Sequence, residues 1–203
     1  MLIGLTGTYC AGKNYLAALL KQRGLPVLDV DKLGYTALDA EKEALAVRFG
    51  GDIMRPDGTV DRRLLGEKVF GKSEELAALE AIVHPAANRL TEEWIESMKG
   101  KTCVINAALL HRSSVFGRLD CIILVGAPFL TRLLRARRRD ALPWSALFKR
   151  FASQKDFTTQ YLAGKADIYR VENHGFSAAA FRRSRAKLER RIDAILFQVG
   201  LRQ

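Results

Sequence analysis

The sequence predicts a doubly wound α/β fold with a parallel five-stranded sheet, and three observations carry that prediction. Short apolar runs bounded by turn residues alternate with helical stretches, the order required by parallel strands joined through crossover helices. Two of the runs, at Thr102 and Cys121, are nearly continuous in hydrophobicity, as strands covered on both faces must be. A glycine-rich turn, Gly7 to Asn14, sits between the first apolar run and the first helical stretch, the layout of a phosphate-binding loop.

The strands are read at Leu2 to Leu5, Pro26 to Asp29, Thr102 to Asn106, Cys121 to Gly126 and Ala166 to Val171. Helices are read from apolar positions three and four apart: Lys13 to Gln22, Lys32 to Phe49, Arg62 to Val69, Ser73 to Met98, Pro128 to Arg138, Ser145 to Phe157 and Ser177 to Val199. His84-Pro85 reads as a helix junction. A Pro56-Asp57-Gly58 turn followed by helices without a strand breaks the alternation. Residues 51–99 are therefore expected to be a helical insertion, with 1–50 and 100–203 as the nucleotide-binding core and 136–158 as a helical lid within it.

At 203 residues the chain can bury a real core, and 48% hydrophobic with 27% charged residues is ordinary globular composition. No apolar run is long enough to span a bilayer, and Met1 leads straight into the first strand, so the expected compartment is the cytoplasm. Cys10, Cys103 and Cys121 are an odd set without metal-ligand spacing, expected to be reduced. The net charge of +11 comes largely from two arginine clusters, Arg132 to Arg139 and Arg182 to Arg191. Such clusters suit nucleic acid, a membrane surface or a polyphosphate, and charge alone does not choose among them. No recognised nucleic-acid motif supports the first.

The pattern G-x-x-x-x-G-K-[ST] is met at Gly7, Gly12 and Lys13 and departs at its last position, Asn14, where a hydroxyl would contact Mg²⁺. Gly7, Thr8, Tyr9, Cys10, Ala11, Gly12, Lys13, Asn14 and Tyr15 are the expected nucleotide-binding residues. Lys13 reaches the β/γ-phosphates, Tyr9 must point outward, and Cys10 is a small filler. Asp29 and Asp31 close the second strand. As alternate strand residues they share a face, where a carboxylate could accept a hydroxyl proton, although Asp31 could instead cap the next helix. Arg139 and Asp140 end a basic helix at a tight joint, placing Arg139 where a lid arginine closes on a γ-phosphate. Asn173 either contacts an adenine edge or sets a turn.

Taken together these segments resemble the dephospho-coenzyme A kinase family of P-loop kinases. The resemblance rests on Gly4 to Gly7 and Gly12-Lys13, Asp29-Val30-Asp31, Asp57 to Arg62, Val69-Phe70, Leu79 to His84-Pro85, Leu109-Leu110, Arg135, Arg139-Asp140, Arg150, Gln154, Ala166-Asp167 and Asn173, in order and at family spacing. It implies transfer of the ATP γ-phosphoryl group, with Mg²⁺, to the ribose 3′-hydroxyl of dephospho-coenzyme A. Asp31 is then the base, Lys13 and the loop hold ATP, Arg139 closes from the lid, Asn14 meets the metal, and Asp29, Arg62 and His84 serve the acceptor. Departures accompany it: Tyr35 stands at a usual arginine, and Asn106, Ala108 and Arg112 stand at usual aspartate, proline and glutamate positions. A kinase-fold protein that binds nucleotide or coenzyme A without turnover is the alternative those departures leave open.

Overall fold

The protein is described by a computed structural model over residues 1–154, 157–162, 164–174 and 178–201, and over their side chains except those at 162 and 178–184. The expected lid range 136–158 and the helices expected from Ser145 and Ser177 thus include positions 155, 156 and 177, which lie outside the described residues, as do the side chains of Arg182 and Arg183.

The chain forms two compact units, Met1–Val27 with Gly100–Gln203, and Leu28–Lys99. The strands β1 (Leu2–Gly7), β2 (Val27–Asp29), β3 (Cys103–Asn106), β4 (Cys121–Gly126) and β5 (Asp167–Glu172) form one sheet in the order β2-β3-β1-β4-β5. The pairings of β1 with β3, β1 with β4 and β4 with β5 are all parallel. Every residue of the central strand β1 is buried, as its apolar run predicts. The carboxyl end of that strand is where α1 (Lys13–Gln22) takes over.

α1 buries Leu16, Ala17, Leu19 and Leu20. α9 (Ala178–Gln198) brings Leu188, Ile192, Ile195 and Leu196 to the same core, around Ile3, Leu5, Val104, Ile123 and Val125. Both sets repeat at three- and four-residue intervals, so one stripe of each helix is dry and the rest is solvated. The unit also contains α6 (Phe129–Asp140), α7 (Trp144–Ala152) and α8 (Thr159–Leu162). α6 starts after Pro128, whose fixed φ suits a helix entrance and whose missing N–H costs nothing there. It stops at Ala141, which takes a left-handed conformation at φ 51°. No helix among the described residues is long and apolar enough to cross a membrane.

The second unit is helical: α2 (Val30–Ala40), α3 (Lys42–Phe49), α4 (Arg62–Val69) and α5 (Ser73–Ser97). Its core joins Leu45, Phe49, Ile53, Val60, Leu65 and Val69, with Leu38, Leu79, Ile82 and Val83 against them. The unit therefore starts at Leu28 instead of 51. The apolar stripes of α2 and α3, which the sequence reading assigned to the sheet domain, are spent on the segment that follows them.

Two helix expectations also change. The single helix expected from Lys32 to Phe49 breaks at Glu41, whose N–H bonds Ala37 O at 3.0 Å while its carbonyl accepts from Leu45 N at 3.0 Å. The 3.6-residue spacing continues across the break, so periodicity could not reveal it. Pro85 lies inside the 25-residue helix α5 and marks no junction. The Asp57-Gly58 turn forms as its chemistry requires: Gly58 has φ 78°, and Asp57 Oδ1 accepts from Thr59 N and Oγ1 at 2.9 and 2.6 Å. Asp61 then caps α4 by accepting from Arg63 N and Leu64 N at 2.9 and 3.1 Å.

Leu45 is fully buried at the centre of the second unit's core. Leu45→Ala is expected to lower the unfolding free energy by about 2–5 kcal/mol through lost transfer energy and the cavity left behind. Urea titration checks it, and a change within error would remove Leu45 from that core.

Candidate active site

The loop that joins β1 to α1 is shaped by close backbone approach at its two glycines. A Cβ on Gly7 would sit 2.7 Å from Val125 O, and one on Gly12, already left-handed at φ 98°, would collide with the Asn173 amide. Neither position tolerates a side chain. Cys10 also takes a left-handed conformation at φ 60°, a strain that the surrounding contacts must hold in place.

Those contacts grip the loop's carbonyls. The Asn173 Nδ2 donates to Ala11 O at 2.8 Å, and Arg135 Nη1 donates to Ala11 O at 3.1 Å and Cys10 O at 3.4 Å. Arg135 Nη2 in turn reaches Asn173 O and Oδ1 at 3.2 and 3.4 Å, and Asn173 N donates to Gly126 O at 2.8 Å. Because a trans peptide is planar, its N–H points opposite to its C=O. Holding the Ala11 carbonyl from one side therefore turns the Gly12 N–H to the other, toward the entrance of α1. That entrance has no side-chain cap and no acid in its first turn, so its positive end is left to meet an anion.

Not every loop amide is available. Thr8 N donates to Val125 O at 3.2 Å, Ala11 N to Thr8 O at 2.9 Å, and Tyr9 N to the Gln154 side chain at 2.7 Å. The expectation that amides from Gly7 onward all face phosphate is thus corrected to the segment that starts near Gly12. Tyr15 is corrected too, since its ring packs against the sheet core and its N–H donates to Gly12 O at 3.1 Å. Asn173 is buried with both ends of its amide engaged on the loop and on Arg135. It supports the loop.

Tyr9 points outward, as expected, and lands on the α6–α7 joint. Its hydroxyl donates to Asp140 Oδ2 and accepts from Arg150 Nη1 at 3.4 Å. Its ring meets Phe151 edge-on at 5.3 Å, with the Arg139 guanidinium 5.2 Å from the ring centre. Arg139 itself is bidentate to Asp140, with Nε and Nη2 at 2.7 and 3.1 Å. Hydrogen bonding to Arg139 holds the Asp140 carboxyl below the usual carboxylate range, against its partial burial. Burial, followed by the bond to Asp140, pushes the Tyr9 phenol up, and burial pushes the Cys10 thiol up. Cys10 packs with Leu133, Ala136 and Leu147, the filler role the sequence suggests.

Asn14 stands exposed in the first turn of α1, and Asn106 ends β3 fully buried. Asn106 Nδ2 donates to Asn14 Oδ1 at 3.2 Å. The sequence shows both departures but nothing that joins residues so far apart in the chain. Lys13 is the first residue of α1.

In the second unit, β2 ends at Asp29 and α2 begins at Val30, so Asp29 and Asp31 are not alternate strand residues. Asp29, not Asp31, is the cap, its Oδ1 accepting from Lys32 N at 3.3 Å, and Asp31 lies exposed in the first helical turn. The Arg62 guanidinium lies over the Tyr35 ring at 4.0 Å, so the tyrosine at a usual arginine position gives another arginine a platform. His84 is exposed on α5.

A family model described as Dephospho-CoA kinase matches residues 1–175. The Dephospho-CoA kinase of Anaeromyxobacter dehalogenans is 36% identical over 179 residues, 85% of this chain and 83% of its own. That of Shouchella clausii is 32% identical over 188 residues, covering 90% and 94%. Among solved structures, TT1252 from Thermus thermophilus superposes with TM-score 0.76 at 30% identity, covering 98% of both chains. Dephospho-CoA kinase from Campylobacter jejuni gives 0.64 at 25%, covering 94% and 96%. Shikimate kinase from Bacteroides thetaiotaomicron, at 0.52 and 15% identity over 97% and 98%, shares the fold.

The Tyr9–Asp140–Arg139 contact sets a pH dependence. A carboxyl whose folded pKa is depressed contributes fully above its unfolded value and loses that contribution as pH falls through the folded value. Protection of α7 amides from exchange, corrected for intrinsic rates, is therefore expected to hold at neutral pH and to fall away below about pH 4. Asp140→Asn should abolish the acid step and weaken protection at neutral pH. A pH-independent profile in the native protein would show that Asp140 does not hold the joint.

Proposed function

The chain belongs to the dephospho-CoA kinase family, and from that membership and the loop geometry we propose that it transfers the γ-phosphoryl group of ATP to the ribose 3′-hydroxyl of dephospho-coenzyme A, giving coenzyme A and ADP. The observation that carries this reading is the outward grip on the Cys10 and Ala11 carbonyls, which turns donors and the α1 terminus toward an anion. Phosphoryl transfer asks little covalent chemistry of the protein; positioning and charge stabilisation supply the rate.

Lys13 and the N–H groups from Gly12 through Asn14 take the ATP phosphates. Arg139 closes on the γ-phosphate, and to do so it must exchange one anion, Asp140, for another. The ion pair thereby keeps the guanidinium oriented until the nucleotide arrives. Asp31 is the group we assign to accept the hydroxyl proton, and Asp29, by capping α2, positions it. Arg62, held on Tyr35, and His84 serve the anionic acceptor. A bound Mg²⁺ would supply charge neutralisation for the phosphates. The residues that would face it are the Asn14 and Asn106 amides, which are neutral, supply no carboxylate and would meet it through its water.

ADP release in a coupled assay should depend on dephospho-coenzyme A. Lys13→Ala and Asp31→Asn are each expected to lower turnover by about 10²-fold or more with the melting temperature unchanged. Full activity in Asp31→Asn would remove its role as base, and ATP binding without ADP release would leave a nucleotide-binding protein of kinase fold.

A further inference from the structure

We propose that Asn14 and Asn106 form a neutral amide pair that meets the nucleotide's cation only through water of hydration, so that ATP binds here with little dependence on a divalent metal. The inference rests on reading the loop as a nucleotide site. In P-loop kinases the corresponding positions supply a hydroxyl and a carboxylate that hold Mg²⁺. This chain replaces both, and the structure brings the replacements into contact.

Asn106 is set by the sheet. It is paired in register with Leu5 of β1, and the next residue, Ala107, donates its N–H to Leu5 O at 3.1 Å. The side chain is 1% exposed. Its Nδ2 is spent on Asn14 Oδ1 at 3.2 Å, whereas its Oδ1 is buried with no hydrogen-bond partner among the described residues. A buried acceptor left without a donor is uncommon in native proteins and points to a group that arrives with a ligand. That group must bring an O–H or N–H. Water carried by a hydrated cation does so, and Mg²⁺ sheds its water reluctantly. Among the described residues no cluster of His, Cys, Asp or Glu could hold a metal ion directly.

Charge leads to the same conclusion. A carboxylate at position 106 repels the phosphates of metal-free ATP, and the metal relieves that repulsion as well as bridging the oxygens. With an amide there, nothing at this position opposes the bare polyanion. The cations already fixed beside the loop, Arg135 at 3.1 Å from Ala11 O among them, act on it undiminished. The hydrogen bond also runs from position 106 to position 14, opposite to the sense in which a hydroxyl would donate to a carboxylate. An aspartate placed alone at 106 would turn the Asn14 amide so that its Nδ2 donates to the carboxylate, which restores the charge without the hydroxyl.

Isothermal titration of the intact protein with ATP, once in EDTA and once in excess MgCl₂, tests this. The native dissociation constants are expected to agree within about fivefold. In the N14S/N106D double variant Mg²⁺ should tighten ATP by about tenfold or more relative to EDTA. Its melting temperature is compared with the native value, and the native pair of titrations decides alone if the variant does not fold. A native ratio above about fivefold, or a folded double variant as indifferent to metal as the native protein, would overturn the inference. An absence of ATP binding in both conditions would overturn the nucleotide reading of the loop as well.

Discussion

Everything at the carboxyl edge of β1 depends on which way one peptide plane faces. The Ala11 carbonyl is held by a guanidinium and a buried amide, Arg135 and Asn173, the charged bond worth about 1.5–3 kcal/mol and the neutral one about 0.5–1.5 kcal/mol. Rotating that plane would bury an unsatisfied carbonyl and bring the loop's donors to face one another. The left-handed Cys10 persists only under this constraint. A phosphate loop is thus less a property of its glycines than of the two residues, more than a hundred positions downstream, that fix their carbonyls.

The same reasoning accounts for a tyrosine where such loops are usually small. Tyr9 gives its N–H to Gln154, its hydroxyl to Asp140 and its ring to Phe151 and Arg139, so its bulk is absorbed by the α6–α7 joint and kept off the anion side. An aromatic there couples the loop to the helices that carry Arg139. The guanidinium lies against the ring, stays exposed to solvent, and is paired with Asp140. Loop and joint are thereby tied together through Tyr9.

Much of this was legible in the chain. β1, the loop and α1 could be read because strand alternation, glycine spacing and helical period all change at Gly7 and Lys13. β4 matched the reading to the residue because a fully buried parallel strand is a continuous apolar run with a glycine at its end. The misses share a physical origin. The Asp29-Val30-Asp31 segment was given the period of a strand when its first aspartate already caps a helix, and capping depends on a backbone angle that composition does not encode. The 3.6-residue period of α2 and α3 marks which face is dry but not which partner dries it, so they were assigned to the sheet. Asn173 was read as contacting an adenine edge or setting a turn, roles that need no distant partner. Its burial is explained by the loop carbonyl it satisfies, a contact spanning 162 residues.

The asparagine pair is the case in which sequence reading and structure diverge most instructively. Taken singly, Asn14 and Asn106 each look like a defect in a metal site. Taken together they conserve what the fold needs at that point, a hydrogen bond from the end of β3 to the first turn of α1, while deleting one negative charge from a dry position. Because an amide can offer either its oxygen or its nitrogen, the contact itself survives a change at either position, and it is the amide at 106 that removes the charge. The cations that hold the loop, Arg135 among them, gain by it, since a buried carboxylate at 106 would have offset part of their field. With position 106 neutral, that field is directed at the ligand, and the positive charge that a carboxylate-bearing site gathers partly from its metal is here carried to a larger extent by the protein itself.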